Sequence, residues 1–119
     1  MTSKTFDDLQ QEVADNGGVI TVQAWQLREA QGAGRLTERI NGEISESLRR
    51  RGLGHVPFRP EDLPTSQHAR VRVYDATSAL GKVIEAAHNP GTDEDNTLRE
   101  AVDGEAAGLL SQIRALVAE

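Results

Sequence analysis

The clearest apolar pattern lies in the second quarter of the chain, where aliphatic side chains recur every four residues. These positions are Leu36, Ile40, Ile44 and Leu48. At about 100° per residue they form one stripe, so they predict a helix over residues 35–51 that stops at Gly52. A shorter helix over residues 22–30, capped by Thr21, precedes it, and a glycine turn at residues 31–34 separates the two. This order is typical of a helix-turn-helix.

Other elements flank this pair of helices. The spacing of Phe6, Leu9 and Val13 places a helix before it, and capping signals place two helices after it. The elements expected are a helix over residues 5–15, a short strand at residues 19–21, a helix from Thr77 or Ser78 to Ala87, and a helix that begins after Thr92.

Residues 53–75 predict two strands joined by a long, proline-rich loop. The second strand alternates, with Val71 and Val73 on one face and Arg70, Arg72 and Tyr74 on the other. The valines belong against the core. The two arginines then lie on an exposed hairpin, where they either contact a DNA backbone or keep an edge strand soluble.

The C-terminal residues predict an amphipathic helix with the spacing of a coiled-coil seam. Its apolar positions include Leu98, Val102, Leu109, Ile113 and Leu116. Such a stripe either folds back on the domain or pairs with a second copy of the chain. We expect pairing, so these five residues are the candidate dimer interface.

These elements predict a mainly α fold with a small β-hairpin. We expect one domain over residues 1–91 and a separate C-terminal helix over residues 92–119, which serves as a dimerisation element.

Composition narrows the class of protein. Aromatic residues make up only 3% of the 119 residues, so the core must be aliphatic, and the absence of cysteine excludes disulfides and thiolate metal sites. No apolar run is long enough to span a membrane, and the N-terminus lacks the apolar stretch of a signal peptide. We therefore expect a cytoplasmic protein that does not contact a membrane.

The net charge of −6 is unevenly distributed. Residues 1–19 carry a net charge of −3, residues 20–75 carry +2 and residues 76–119 carry −5, which sum to −6. A mildly basic centre between acidic ends suits a protein that contacts DNA through its middle segment. It is equally compatible with ordinary charge scatter.

The outward face of the 35–51 helix carries side chains that suit DNA recognition. Arginine can bind guanine, and asparagine adenine, through two hydrogen bonds. The candidate contact residues are Arg35, Thr37, Arg39 and Asn41 near the front of the helix and Arg49 at its end. An ordinary solvated face is the alternative because Glu38 and Glu46 would repel phosphates. Arg49 has a structural alternative too, since cations stabilise a helix C-terminus.

No pattern indicates catalysis or a cofactor. The histidines His55, His68 and His88 lie in separate segments without a carboxylate or second histidine at metal-ligand spacing. The acidic run at residues 93–95 lacks the glycine and distal glutamate of a calcium loop. We expect neither an enzyme nor a metal site.

The helix pair and the hairpin together resemble the winged helix-turn-helix family of bacterial DNA-binding regulators over residues 5–88. The resemblance implies that the second helix of the pair enters the major groove and that the hairpin, the wing, contacts the backbone. Arg35, Thr37, Arg39 and Asn41 would take the first position, and Arg70 and Arg72 the second. The expected function is a small dimeric transcriptional regulator that binds double-stranded DNA. The alternative is a protein-interaction module on the same scaffold.

Overall fold

The computed structural model describes residues 4–102. Within that range the fold is mixed α/β, and helices predominate over one small antiparallel sheet. The elements are α1 (Phe6–Asp15), β1 (Val19–Gln23), α2 (Ala24–Gln31), α3 (Glu38–Arg50), β2 (Leu53–Val56), a 3₁₀ turn (Pro60–Asp62), β3 (Arg70–Asp75) and α4 (Ala79–His88). A further helix, α5, begins at residue 92 and extends through residue 102.

The sheet has three strands rather than the two of a hairpin. β3 lies in the centre, with β1 and β2 antiparallel to it on either side. The expected strand at residues 19–21 is confirmed and continues to Gln23. Thr21 pairs with Arg72 in the ladder, so its assignment as a helix cap was wrong. The shorter helix begins at Ala24, where Gln26 Oε1 accepts a hydrogen bond from the Gln23 N–H at 2.9 Å.

The core lies between one face of the sheet and the apolar sides of α1, α2 and α3. It consists of Phe6, Leu9, Val13, Val22, Leu27, Ile44, Leu48, Leu53, Leu63, Val71 and Val73. All but Phe6 are aliphatic, as the composition requires. The predicted stripe of α3 is confirmed at Ile44 and Leu48, which are fully buried, while Leu36 and Ile40 pack at the margin of the core.

Local signals fix the ends of α1 and α2. Thr5 Oγ1 accepts from the Asp8 N–H at 3.1 Å and Asp8 Oδ2 accepts from the Thr5 N–H at 2.9 Å, a reciprocal capping box that starts α1. Gly32 follows α2 with φ of 74°, a left-handed conformation that favours glycine. The turn between α2 and α3 therefore begins where the sequence predicts it.

The chain divides into two compact units, Met1–Gly81 and Lys82–Glu119. The first unit holds the sheet, the core and α1 to α3. The second holds the remainder of α4 and all of α5. The boundary expected from the sequence, after Gly91, lies within the second unit.

Candidate nucleic-acid interface

The second helix of the pair begins later than its apolar spacing predicts. α3 starts at Glu38, and Thr37 caps it by accepting a hydrogen bond from the Ile40 N–H at 3.1 Å. Threonine suits this position because its oxygen satisfies an N–H that has no partner within the helix. Arg35 consequently lies in the turn before α3, and Thr37, predicted to contact a base, serves as the helix cap.

Asn41, also predicted to contact a base, is buried against a loop. Its side chain is only 3% exposed, and Nδ2 donates to the carbonyl oxygens of Leu63 at 3.1 Å and Pro64 at 3.2 Å. Because both acceptors belong to the loop between β2 and β3, Asn41 fastens that loop to α3. An amide engaged in this way has no free edge to present to adenine.

A second buried polar contact joins α3 to β2, and sequence reasoning missed it. Ser45 Oγ lies 2.7 Å from His55 Nε2, and His55 Nδ1 lies 2.6 Å from the Pro57 carbonyl oxygen. Burial lowers the pKa of His55 below its ordinary value, against an opposing effect of the Pro57 hydrogen bond, and Arg49 lowers it further by charge repulsion. The neutral ring then donates to Pro57 and accepts from Ser45.

This Ser–His contact resembles the first two members of a hydrolytic triad, but its setting is structural. Both side chains are 4% exposed, so a substrate cannot reach the Ser45 oxygen. The carbonyl that orients His55 belongs to a backbone turn. With the Asn41 contacts, the pair fixes the β2–β3 loop against the side of α3 that is not in the core.

The surface that remains open on α3 is electrically balanced. We call it the α3 face; it consists of Glu38, Arg39, Glu43, Glu46, Arg49 and Arg50. Its three arginines are matched by three glutamates. Arg39, whose side chain is 77% exposed, forms an i, i+4 salt bridge with Glu43 at 3.1 Å.

The side of the sheet that is turned away from the core carries arginines without matching acids. Arg70 and Arg72 are exposed on the central strand, on the side turned away from buried Val71 and Val73. Their neighbours on β1 are Gln23 and Thr21, which are also exposed. We call Thr21, Gln23, Arg70 and Arg72 the open sheet face. Both arginines therefore stand on a strand and not at the tip of the loop.

Tyr74 does not join them at the surface, although it shares their side of β3. It is 1% exposed, and its ring lies so close to Gly54 on β2 that a Cβ there would collide with it. Tyr74 therefore shares a side of β3 with the two arginines but not their exposure. The open sheet face ends at Tyr74.

Four of the seven predicted contact residues are exposed arginines without a carboxylate partner among residues 4–102. They are Arg35, Arg49, Arg70 and Arg72. The salt bridges found within residues 4–102 include none of them. In contrast, Arg51 is held by Asp7 at 3.2 Å and Arg59 by Asp62 at 2.9 Å.

The candidate dimer interface is described only in part. Leu98 is half-buried and Val102 is 67% exposed on α5. Leu109, Ile113 and Leu116 lie outside the described residues.

Residues 4–102 show neither a metal site nor a membrane span. No group of three or more His, Asp or Glu side chains in that range could hold a metal ion. None of the helices described there has the length and apolar character of a membrane span. Comparison with protein-family models, with curated proteins and with solved structures found no match for this chain.

Proposed function

We propose that this protein is a small DNA-binding regulator built on a winged helix-turn-helix. The order of elements supports the proposal: one helix and one strand precede the α2–α3 pair, and two strands follow it. The sheet order β1-β3-β2 also suits this scaffold because it places the loop between β2 and β3 beside α3. In the proposed complex α3 approaches the major groove and the hairpin approaches the backbone.

The observation that carries the proposal is that four of the five arginines predicted to contact DNA form no salt bridge within residues 4–102. An arginine already paired with a carboxylate must lose that partner before it can bind phosphate, whereas Arg35, Arg49, Arg70 and Arg72 bear no such cost. All four belong to the basic central segment of the sequence. We propose that they contact the DNA backbone and that Arg39 contacts a base edge when Glu43 releases it.

The proposed regulator binds as a homodimer through the C-terminal helix. The support is the apolar spacing of residues 98–116 and the exposure of Val102, which leaves an aliphatic side chain uncovered in a single chain. A dimer would place two copies of α3 on successive half-sites. Solution sizing of the full chain, and of a chain that ends at residue 91, tests this part: a dimer that survives the truncation contradicts it.

Binding to duplex DNA is tested by fluorescence anisotropy with a labelled random duplex over a range of salt concentrations. We expect the logarithm of the binding constant to fall linearly with the logarithm of salt concentration. The slope should be about −0.9 for each phosphate neutralised. If the full chain does not bind at about 0.05 M salt, the proposal is wrong.

One observation favours a second candidate, a protein-interaction module on the same scaffold. The α3 face is charge-balanced, and residues 76–119 carry a net charge of −5, which suits a basic protein partner better than a polyanion. Replacing both Arg35 and Arg39 by glutamate separates the candidates. The change should abolish binding to DNA but leave binding to a basic partner through the acidic segment unaffected.

A further inference from the structure

The open sheet face differs from the α3 face in carrying cations alone. Across the ladder, Arg72 lies between Thr21 on β1 and Val56 on β2, and Arg70 lies beside Gln23. None of these neighbours is acidic. The loop segment that leads into Arg70, residues 65–69, also contains no acid.

The two arginines are also close to each other and firmly placed. Alternate residues of a strand lie about 7 Å apart on the same side, so Arg70 and Arg72 project side by side. β3 is hydrogen-bonded on both edges, which restrains the backbone that carries them. Like charges on one side of a strand repel each other, and an anion that bridges them would remove that repulsion.

We infer that the open sheet face is the principal phosphate-binding surface of this protein and that its ligand is the backbone of duplex DNA. The inference rests on the proposed function and changes its emphasis. α3 contributes little net attraction because glutamates offset its arginines, whereas the sheet supplies attraction that nothing on its own face offsets. Phosphates therefore bind mainly to the sheet.

Polar side chains beside the arginines complete this surface. Gln23 Oε1 accepts from Trp25 Nε1 at 2.8 Å and lies 3.0 Å from His68 Nδ1, so this amide links two other side chains next to Arg70. Its own amide nitrogen remains a donor for phosphate. Trp25 is the single tryptophan of the chain, so its fluorescence reports on this region.

The test compares two double variants of the full chain that lose the same charge. One is Arg70→Gln with Arg72→Gln, and the matched control is Arg39→Gln with Arg49→Gln on the α3 face. Anisotropy is measured with one random duplex between about 0.05 and 0.5 M salt. Near-ultraviolet circular dichroism and Trp25 fluorescence confirm that each variant folds. A charge-conserving pair, Arg70→Lys with Arg72→Lys, shows whether charge alone is required.

For the Arg70→Gln, Arg72→Gln variant we expect the negative salt slope to become shallower by about 1.8, since two phosphate contacts are lost. Over a tenfold range of salt this corresponds to about 60-fold weaker binding at the low end. The α3 control should lose less than the sheet variant, and the lysine pair should keep the slope. Equal or greater loss in the α3 control, with wild-type binding intact, overturns this inference and leaves the proposed function standing. Absence of binding by the wild-type chain overturns both.

Discussion

The α3 face and the open sheet face both present arginines, but they differ in what surrounds those arginines. On α3 each cation has a glutamate within a turn or two, and Arg39 is already bound to Glu43. On the sheet the neighbours are threonine, glutamine and valine. The difference shows that the number of arginines on a surface does not measure its attraction for a polyanion. What matters is how many of them lack a carboxylate neighbour.

The two regions also differ in how they are built. α3 is fastened on two sides: by the core through Ile44 and Leu48, and by β2 and the β2–β3 loop through Ser45 and Asn41. The sheet has one side in the core and, along Arg70 and Arg72, one side in solvent. Substitutions on α3 should therefore lower the stability of the protein even at positions outside the apolar stripe, such as Asn41. Substitutions of Arg70 and Arg72 should change DNA binding with little effect on stability.

The largest effect on stability is expected at Gly54, which lies beside the buried ring of Tyr74 at the end of the open sheet face. Gly54→Val places a branched side chain where the buried ring of Tyr74 lies, so either the ring or the β2 backbone must move. We expect the free energy of unfolding to fall by about 3 kcal/mol, the upper part of the range for overpacking. Urea denaturation followed by circular dichroism measures it.

A control for this substitution is Thr21→Val, which places the same branched apolar side chain at an exposed position of the same sheet face, in place of a branched polar one. It should change stability by less than about 0.5 kcal/mol. Similar losses in both variants would mean that the Tyr74 ring is not confined by Gly54.

The second effect tests whether Asn41 is structural. Asn41→Ala removes two hydrogen bonds to the carbonyl oxygens of Leu63 and Pro64, and we expect a loss of about 2 kcal/mol in the free energy of unfolding. The salt slope of DNA binding should not change, because no charge is altered. A variant of unchanged stability that had lost its preference for one DNA sequence would restore Asn41 as a base-contacting residue.

Asn41 also shows where sequence reasoning stops. The four-residue repeat of α3 identifies Ile44 and Leu48 as core residues because burial against a sheet requires that period. The same repeat places Asn41 on the shoulder of the helix, where exposure depends on a loop more than 20 residues away. The path of a proline-rich loop follows from tertiary contacts, which local periodicity does not contain.

The strands were predictable to different degrees for a related reason. The alternation of Val71 and Val73 with Arg70 and Arg72 identifies both faces of β3 from the sequence alone. It does not reveal that β1 pairs with β3, since that ladder joins segments about 50 residues apart. Without that third strand, β3 reads as the edge of a hairpin, whereas it is the centre of a sheet. Its arginines therefore occupy a wider surface than the sequence suggests.

The third effect is a dependence of stability on pH, which arises from the buried His55 in the contact between α3 and β2. The pKa of His55 is lower in the folded state than its ordinary value of 6.5 because burial disfavours the charged ring. The neutral ring therefore contributes stability above about pH 6.5, and this contribution is lost as the pH falls from there through the folded-state pKa. We expect a lower urea midpoint at pH 5.5 than at pH 7.5.

Two variants separate this effect from the titration of other groups. His55→Asn should flatten the pH profile between those values, although its stability at pH 7.5 will be lower. Arg49→Gln should reduce the dependence because the Arg49 charge contributes to the depression. A profile that keeps its full slope in the asparagine variant would assign the titration to another residue.

The smallest effect on stability is expected from Glu43→Gln, which tests the contrast between the two surfaces most directly. The Arg39–Glu43 salt bridge is exposed, so its loss should cost less than about 0.5 kcal/mol. The change releases Arg39 and gives the α3 face a net charge of +1. If that face lies near the duplex, affinity should rise and the salt slope should steepen by about 0.9. Glu12→Gln, which frees Lys4 outside the α3 face in the same way, should raise the affinity less. Equal gains in both variants would indicate that DNA responds to the net charge of the chain and not to the position of Arg39.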